Sequence, residues 1–338
     1  MFVLLAVFMF AAYKQKDKNN GSEKPGTEVY WLESNEIMLN GEKTGITPYL
    51  TPGIIVDPEK HAYYVCSCGE VGKLKVVKDW KDLYITDLAN FDNAMILGAG
   101  GGYLFLGLYF GERKDLLLRR ISDQGQVDTF TLHKGKGDFD FFVNCICGDS
   151  KGNAYVAGEV KNENGKNQAV IWSVTIDGKV SRQVFADGTI DTNCEDVTTS
   201  GTDVLALVFE GYIYKEPAVE YNLALYKNGQ RQYLVTDDVN KASSTCCCIS
   251  VVGNDTYISI CYGIPHKQKI IVYKNKEQKL VLEEPGKGLL LNSMYVTKSG
   301  DIYIAGHNYA DQNFKYVWKN GKVIANPKNY CFSLYVKE

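Results

Sequence analysis

Seven four-stranded blades of a β-propeller are what this sequence predicts, on three observations. A turn followed by an alternating apolar strand recurs at intervals averaging about 46 residues. A second strand follows it and ends in an Asn-Gly or Asp-Gly turn. The two chain ends carry complementary parts of one such unit. A four-stranded repeat of this period is the pattern of a propeller blade.

The second strand of each unit is the clearest. "TEVYWLE" (27–33), "KHAYYVC" (60–66), "GGGYLFL" (100–106), "GNAYVAG" (152–158), "GTDVLAL" (201–207), "GNDTYIS" (253–259) and "DIYIAG" (301–306) align on Tyr30, Tyr63, Tyr103, Tyr155, Val204, Tyr257 and Tyr303. The intervals are 33, 40, 52, 49, 53 and 46 residues. The third strand appears in "EIMLNGE" (36–42), "IWSVTIDGK" (171–179), "ALYKNGQ" (224–230), "IVYKNKE" (271–277) and "YVWKNGK" (316–322). Asn-Gly between alternating apolar residues is a strong hairpin signal, because both residues tolerate positive φ. First strands are "CICGDSKG" (145–152), "CEDVTTSG" (194–201), "CCISVVG" (247–253) and "SMYVTKSG" (293–300). Fourth strands include "RQYLVT" (231–236) and "KLVLEE" (279–284).

The chain ends with "CFSLYVKE" (331–338), a lone first strand. It begins with "EVYWLE", "EIMLNG" and "TPYL" (47–50), which read as strands two, three and four. Together they predict a composite N/C-terminal blade that closes the ring and removes two exposed sheet edges. Because the intervals shrink in the second and third units, six and eight blades stay open as alternatives.

Three segments follow: an apolar run (1–13), a polar tether (14–27) and one propeller domain (28–338). "MFVLLAVFMFAAY" is shorter than the ~20 residues a membrane span needs and fits the core of a secretory signal. The segment resembles a bacterial lipoprotein signal, with "FAA" (10–12) followed by Tyr13 where that signal has its lipidated Cys. The blades resemble propeller proteins of Bacteroides-type bacteria with an aromatic-Lys-Asn-Gly step. The resemblance implies an exported, periplasmic or outer-membrane-associated protein of a Gram-negative cell, tethered through its N-terminus. The chain lacks the Trp-Asp and Gly-Gly signatures of the WD40 and kelch propellers. A net charge of −3 without a basic stripe argues against a nucleic-acid partner.

Strand 1–2 and 3–4 turns are tight and share one face. The opposite face carries longer connections, such as "GYIYKEPAVEY" (211–221), "YGIPHKQK" (262–269) and "HNYADQNFK" (307–315). Function concentrates on variable loops carried by rigid scaffolds. Two candidate binding groups fall on this face. Asp92, Asn144, Asn193 and Asn292 recur before strand 1, where they either ring the channel mouth or satisfy local backbone. Tyr212, Tyr214, Tyr262, His266, His307 and Tyr309 offer aromatic faces and polar tips suited to sugars or peptides.

Of ten cysteines, Cys145, Cys194 and Cys247 align in successive blades. Thiols there serve as small apolar packing, with a soft-metal triad as the alternative. "GDFDFF" (137–142) and "DTNCED" (191–196) bring Asp138, Asp140, Asp191 and Glu195 toward the long-loop face, where a carboxylate pair would suit glycosidic chemistry. No catalytic residue, cofactor or metal is assigned. The reading is a non-catalytic binder of a glycan, peptide or envelope protein. A glycan-active hydrolase or lyase and a structural envelope subunit are the alternatives.

Overall fold

In a computed structural model of the chain, the described residues are 27–338 without 50–52, 88, 90–93, 111–114, 136–139, 187, 216–217, 236–246, 264–265, 285 and 312–313; the side chains of 94–95, 109–110, 212–215 and 218–220 are likewise not described. Segment 1–13 and nearly all of the tether lie outside them. Among the described residues no helix is long and apolar enough to cross a membrane.

The chain is a seven-bladed β-propeller of four-stranded antiparallel sheets. Blade 7, the composite, holds β1 (Glu28–Glu33), β2 (Glu36–Leu39) and β3 (Glu42–Lys43). Blade 1 holds β4 (Ile55–Val56), β5 (Ala62–Ser67), β6 (Lys73–Lys78) and β7 (Lys81–Asp87). Blade 2 holds β8 (Ala94–Gly100), β9 (Tyr103–Phe110), β10 (Asp115–Ile121) and β11 (Val127–His133). Blade 3 holds β12 (Phe141–Gly148), β13 (Ala154–Lys161), β14 (Asn167–Val174) and β15 (Val180–Val184). Blade 4 holds β16 (Thr192–Ser200), β17 (Asp203–Lys215), β18 (Ala218–Lys227) and β19 (Gln230–Leu234). Blade 5 holds β20 (Cys247–Val252), β21 (Asp255–Tyr262), β22 (Lys269–Lys274) and β23 (Glu277–Leu282). Blade 6 holds β24 (Leu289–Val296), β25 (Ile302–Asn308), β26 (Lys315–Lys319) and β27 (Lys322–Ala325).

The last strand, β28 (Cys331–Lys337), completes blade 7 from the inside, in the order β28-β1-β2-β3. Tyr30 lies opposite Tyr335 and Trp31 opposite Leu334, so the C-terminus pairs with the start of the domain as the sequence predicts.

Two local expectations are corrected. "TPYL" does not form the outer strand of blade 7. That place is taken by Glu42–Lys43 directly after the Asn40-Gly41 turn, and Gly45 (φ 76) turns the chain away. Pro48 then bridges to Cys66, and Tyr49 N–H donates to Val65 O (2.7 Å) in blade 1. "GYIYKEPAVEY" is a hairpin extension of β17 and β18 rather than a loop, with its ladder interrupted between Glu210 and Ile213.

The recurring aromatic-Lys-Asn-Gly step has a physical cause. Asn40, Asn228, Asn275 and Asn320 adopt left-handed φ of 48–49° in the strand 3–4 turn. Each exchanges two hydrogen bonds with the start of strand 2. Asn320 N–H donates to Ile302 O (2.8 Å), and its Oδ1 accepts from Ile302 N–H (2.9 Å). Val204 and Thr256 are held in the same way by Asn228 and Asn275. The amide Nδ2 also donates to Asp203, Asp255 or Asp301 at 2.6–2.8 Å, and the preceding Lys pairs with the same carboxylate. Lys274 and Lys319 lie 5.5 and 5.3 Å from the rings of Tyr257 and Tyr303, two of the anchor tyrosines. Blade 1 has a diverged copy that sequence alignment missed: Asp79 (φ 48) latches Ala62, and Lys78 covers Tyr63.

The core is distributed over the blade interfaces. Leu104, Leu106 and Ile121 of blade 2 pack with Tyr63, Val65 and Val76 of blade 1. Val156, Val170 and Trp172 of blade 3 pack with Phe105, Leu116 and Leu118 of blade 2. Each blade is therefore stabilised by its neighbours, as stacked repeats are.

Asn320→Ala should cost about 2 kcal/mol, since it removes the side-chain latch and leaves a residue that tolerates left-handed φ less well than Asn; Asn320→Gly, which is free to adopt that φ, should cost about 1 kcal/mol. Equilibrium denaturation checks this, and an unchanged midpoint for the Ala variant would contradict the latch.

Candidate functional site

The innermost strands run from the long-loop face to the tight-turn face and surround an axial channel. A cavity of 280 Å³ in it is lined by Cys145, Asp196, Ile249, Met294 and Leu334, with Lys60 and Ser250 toward the tight-turn end. Near the long-loop end, β-bulges interrupt the ladders of blades 3, 4 and 6. They fall between Val143 and Cys145, between Cys194 and Asp196, and between Leu291 and Ser293. A bulge leaves one residue outside the ladder and re-aims its side chain. The bulge residues of these three blades are Asn144, Glu195 and Asn292; the inner ladders of blades 2 and 7 also shift register, between Ala94 and Ile96 and between Trp31 and Glu33.

This register changes the expected ring of amides. Asn193 is not the counterpart of Asn144 and Asn292; Glu195 is. Asn193 joins the group by reach. Asn144 Nδ2 donates to Asn193 Oδ1 (2.8 Å) and to Cys194 O (2.9 Å), and Asn193 Nδ2 donates to Glu195 Oε2 (3.0 Å). Asn292 lies in another blade and meets His307, Oδ1 to Nδ1, at 3.1 Å. Its Nδ2 is buried without a partner. Asp92 lies outside the described residues. A signal for two of the bulges was present in the sequence: Gly158 and Gly306 stand opposite those of blades 3 and 6, where a Cβ would meet Phe142 O at 2.0 Å and Leu290 O at 2.4 Å, whereas Val208 stands at that place in blade 4. Glycine inside a strand marks such close approaches.

Around Glu195 the electrostatics are unusual. Burial, reinforced by the charges of Asp196 and Glu159, pushes its carboxyl up to about 8. Burial and then Asp191 push Glu159 up to about 7. Asp196 is pushed up to about 6 by burial, against hydrogen bonds from Cys145 Sγ (3.1 Å) and the amides of Ile249 and Val197 (both 2.8 Å). Glu195 and Asp196 both keep some exposed surface, and Asp196 lines the axial cavity, yet protein crowds them on the other sides. Asp191 behaves oppositely. Burial acts to raise it, but Lys166 (2.8 Å) and the Asn167 amide (2.9 Å) outweigh this and hold it below the usual carboxylate range. Sequence reading named Asp191 and Glu195 but missed Glu159 and Asp196. Asp140 lies instead beside His133, at 3.5 Å, and Asp138 is outside the described residues.

Aromatic side chains flank the same mouth. Phe142 lies opposite Glu159 in the ladder and is 56% exposed, and Phe332 on β28 is 43% exposed. His307 packs edge-on to Tyr330 (4.8 Å), and Lys315 Nζ lies 5.1 Å from that ring. Burial, then Lys315, lowers the His307 pKa and favours the neutral imidazole. The remaining candidates are dispersed. His266 meets Tyr309 at 5.1 Å, while Tyr262 packs half-buried against the interface of blades 4 and 5. The side chains of Tyr212 and Tyr214 are not described.

The three aligned cysteines do not share one layer. Cys145 follows its bulge and lines the channel; Cys194 precedes its own and is buried between blades 3 and 4; Cys247 is buried between blades 4 and 5. Burial pushes the Cys145 and Cys194 thiols up, so they are neutral. Among the described residues, the metal-type ligand atoms of Asp57, Glu59 and His61 converge within 4.8 Å. Asp57 Oδ1 there accepts the His61 amide, as Asp149 Oδ1 accepts that of Asn153, which is the closure of a strand 1–2 turn.

No family model matches the chain, and none of the curated proteins matches it. Solved structures do. The dihydro-heme d1 dehydrogenase NirN in complex with DHE aligns with a TM-score of 0.50 and 14% identity, over 94% of this chain and 76% of that one. The β-propeller domain of the Trilobed protease from Pyrococcus furiosus aligns at 0.48 and 10%, over 80% of each chain. A protein of unknown function from Bacteroides caccae aligns at 0.41 and 11%, over 92% of this chain and 98% of that one. What is shared at these identities is the propeller.

The raised carboxyls fix the sign of a pH effect. A carboxyl whose folded pKa exceeds its unfolded value favours the folded state most below the unfolded value and loses that advantage as pH rises through the folded pKa. Melting temperature should therefore fall between about pH 5 and pH 8 through Glu195 and Glu159. Glu195→Gln should flatten this fall and raise the melting temperature most at pH 8. Parallel pH profiles for the variant and the parent would contradict the assignment.

Proposed function

We propose that the long-loop mouth binds a neutral, hydroxyl-rich ligand, a glycan before a peptide, without transforming it. The observation that carries this reading is the hydrogen-bonded group Asn144–Asn193–Glu195 beside exposed Phe142. Near pH 7 Glu195 is mostly protonated, so it both donates and accepts. The amides do the same. Such a set suits hydroxyl groups better than it suits cations. Aromatic faces at the rim provide the apolar half of sugar recognition.

A second reading rests on the split between Glu195, held protonated, and Asp191, held ionised. Carboxyls pushed apart in this way are the arrangement of a general acid and base. It makes glycan hydrolysis the alternative.

Titration calorimetry against neutral oligosaccharides and peptides tests both readings. A saccharide should bind, and Asn193→Ala or Phe142→Ala should weaken it by about tenfold, the equivalent of about 1.4 kcal/mol. Cleavage of the bound sugar, lost in Glu195→Gln, would favour the hydrolase. Peptide binding with no saccharide binding would overturn the glycan assignment.

The apolar run at 1–13 supports export, with an envelope location and envelope partners as part of the same proposal. Mass spectrometry of the chain recovered from expressing Gram-negative cells should show the first residues removed. An intact Met1 on cytoplasmic protein would sink this part.

A further inference from the structure

The opposite end of the channel carries a different chemistry. The five-residue turn 57–61 between β4 and β5 is closed by Lys60 N–H to Asp57 O (2.9 Å) and Asp57 N–H to His61 O (3.0 Å). Lys60 itself adopts a left-handed φ of 72°. Its side chain leaves the turn and lines the axial cavity, where Nζ meets Ser250 Oγ at 2.8 Å. Ser250 belongs to blade 5, so the contact crosses the channel. The cavity wall beyond is mixed: Ile54, Ile249, Met294 and Leu334 give it apolar surface, and Asp196 and Ser293 polar surface.

Several lysines on this face are paired with carboxylates: Lys227 with Asp203 (2.7 Å), Lys274 with Asp255 (2.8 Å) and Lys337 with Glu28 (2.9 Å). Among the described residues no carboxylate lies within ion-pair distance of Lys60. The groups closest to Nζ are the Ser250 hydroxyl and the Tyr295 ring, 5.1 Å away, with the charges of Glu338, Asp57 and Lys298 farther off.

We infer that Lys60 is a covalent carbonyl-binding site, whose amine condenses with a small aldehyde entering the channel from the tight-turn face. The unprotonated amine adds its electron pair to the aldehyde carbon, and the oxygen takes up a proton to give a carbinolamine. Loss of water then leaves an imine between Nζ and the former carbonyl carbon. One water leaves for each aldehyde bound, and no redox partner is needed. The apolar part of the wall, Ile54, Ile249, Met294 and Leu334, accommodates the aldehyde's hydrocarbon tail, and the 280 Å³ of space limits it to a small one.

The amine is suited to this step. Burial lowers its pKa to about 8, with Lys298 acting in the same direction and the charges of Glu338 and Asp57 opposing. About a fifth of it is then unprotonated near pH 7.4, far more than for an ordinary lysine near 10.4. Desolvated lysines are the usual source of imine-forming amines.

The test is reductive trapping of the full chain with benzaldehyde and cyanoborohydride, followed by peptide mapping. Lys60 should be benzylated about tenfold faster than ion-paired Lys274, with a pH midpoint near 8. Lys60→Arg should lose that adduct and keep the others. The main comparison is made within one folded chain, so it stands even where a variant folds poorly. Labelling of Lys60 no faster than Lys274 would overturn the proposal. So would a Lys60 rate that keeps rising through pH 10 like an ordinary amine.

Discussion

The pairing of β28 with β1 is the contact on which the rest of the molecule depends. It joins residues some 300 positions apart, with Val29 opposite Val336 and Tyr30 opposite Tyr335. Before it forms, the sheet β1–β3 beside blade 1 lacks its inner strand, and blade 6 lacks a complete neighbour on its far side. Closing so long a loop is entropically costly, although the cost grows only slowly with length. What offsets it is a dense aromatic pile at the seam. Trp80 of blade 1 sits 3.9 Å from Tyr30 and 5.3 Å from Tyr335, and Tyr295 of blade 6 packs edge-on to Tyr335 at 5.6 Å. Three blades meet there, so the seam closes the ring and also supplies part of its core.

Closure decides where function can sit. Seven innermost strands converge on one axis, and their side chains either pack between blades, as Cys194 and Cys247 do, or line the channel, as Cys145 and Asp196 do. Bulges at one end turn Asn144, Glu195 and Asn292 out of the ladder, while a left-handed turn at the other end leads Lys60 inward. The same cause, burial among packed strands, acts on both chemistries with opposite sign. It drives carboxyls toward their neutral form at the long-loop mouth and the amine toward its neutral form at the tight-turn mouth. Both ends therefore present polar groups that carry less charge than their residue types suggest.

The sequence by itself determined the blade, its repetition and the closure. Those rest on local chemistry: a left-handed Asn at the strand 3–4 turn, a Lys and an Asp that bracket it, and a tyrosine beneath the Lys. Each interaction spans one hairpin, so it leaves a spaced signature that can be read without coordinates. The outer strand of blade 7 was misplaced because two residues after a tight turn suffice to form it, too few to show a pattern. Tertiary structure alone decided the site. A bulge shifts register by one residue within a strand of unchanged length, so Asn193 and Glu195 could not be told apart by spacing, even though Gly158 and Gly306 marked such positions. Glu159 comes from the second strand of blade 3 and Glu195 from the first strand of blade 4. Lys60 and Ser250 come from blades on different parts of the ring. Their pKa values follow from burial that exists only once the ring is closed, because desolvation is set by what surrounds a group in space and not by what flanks it in the chain.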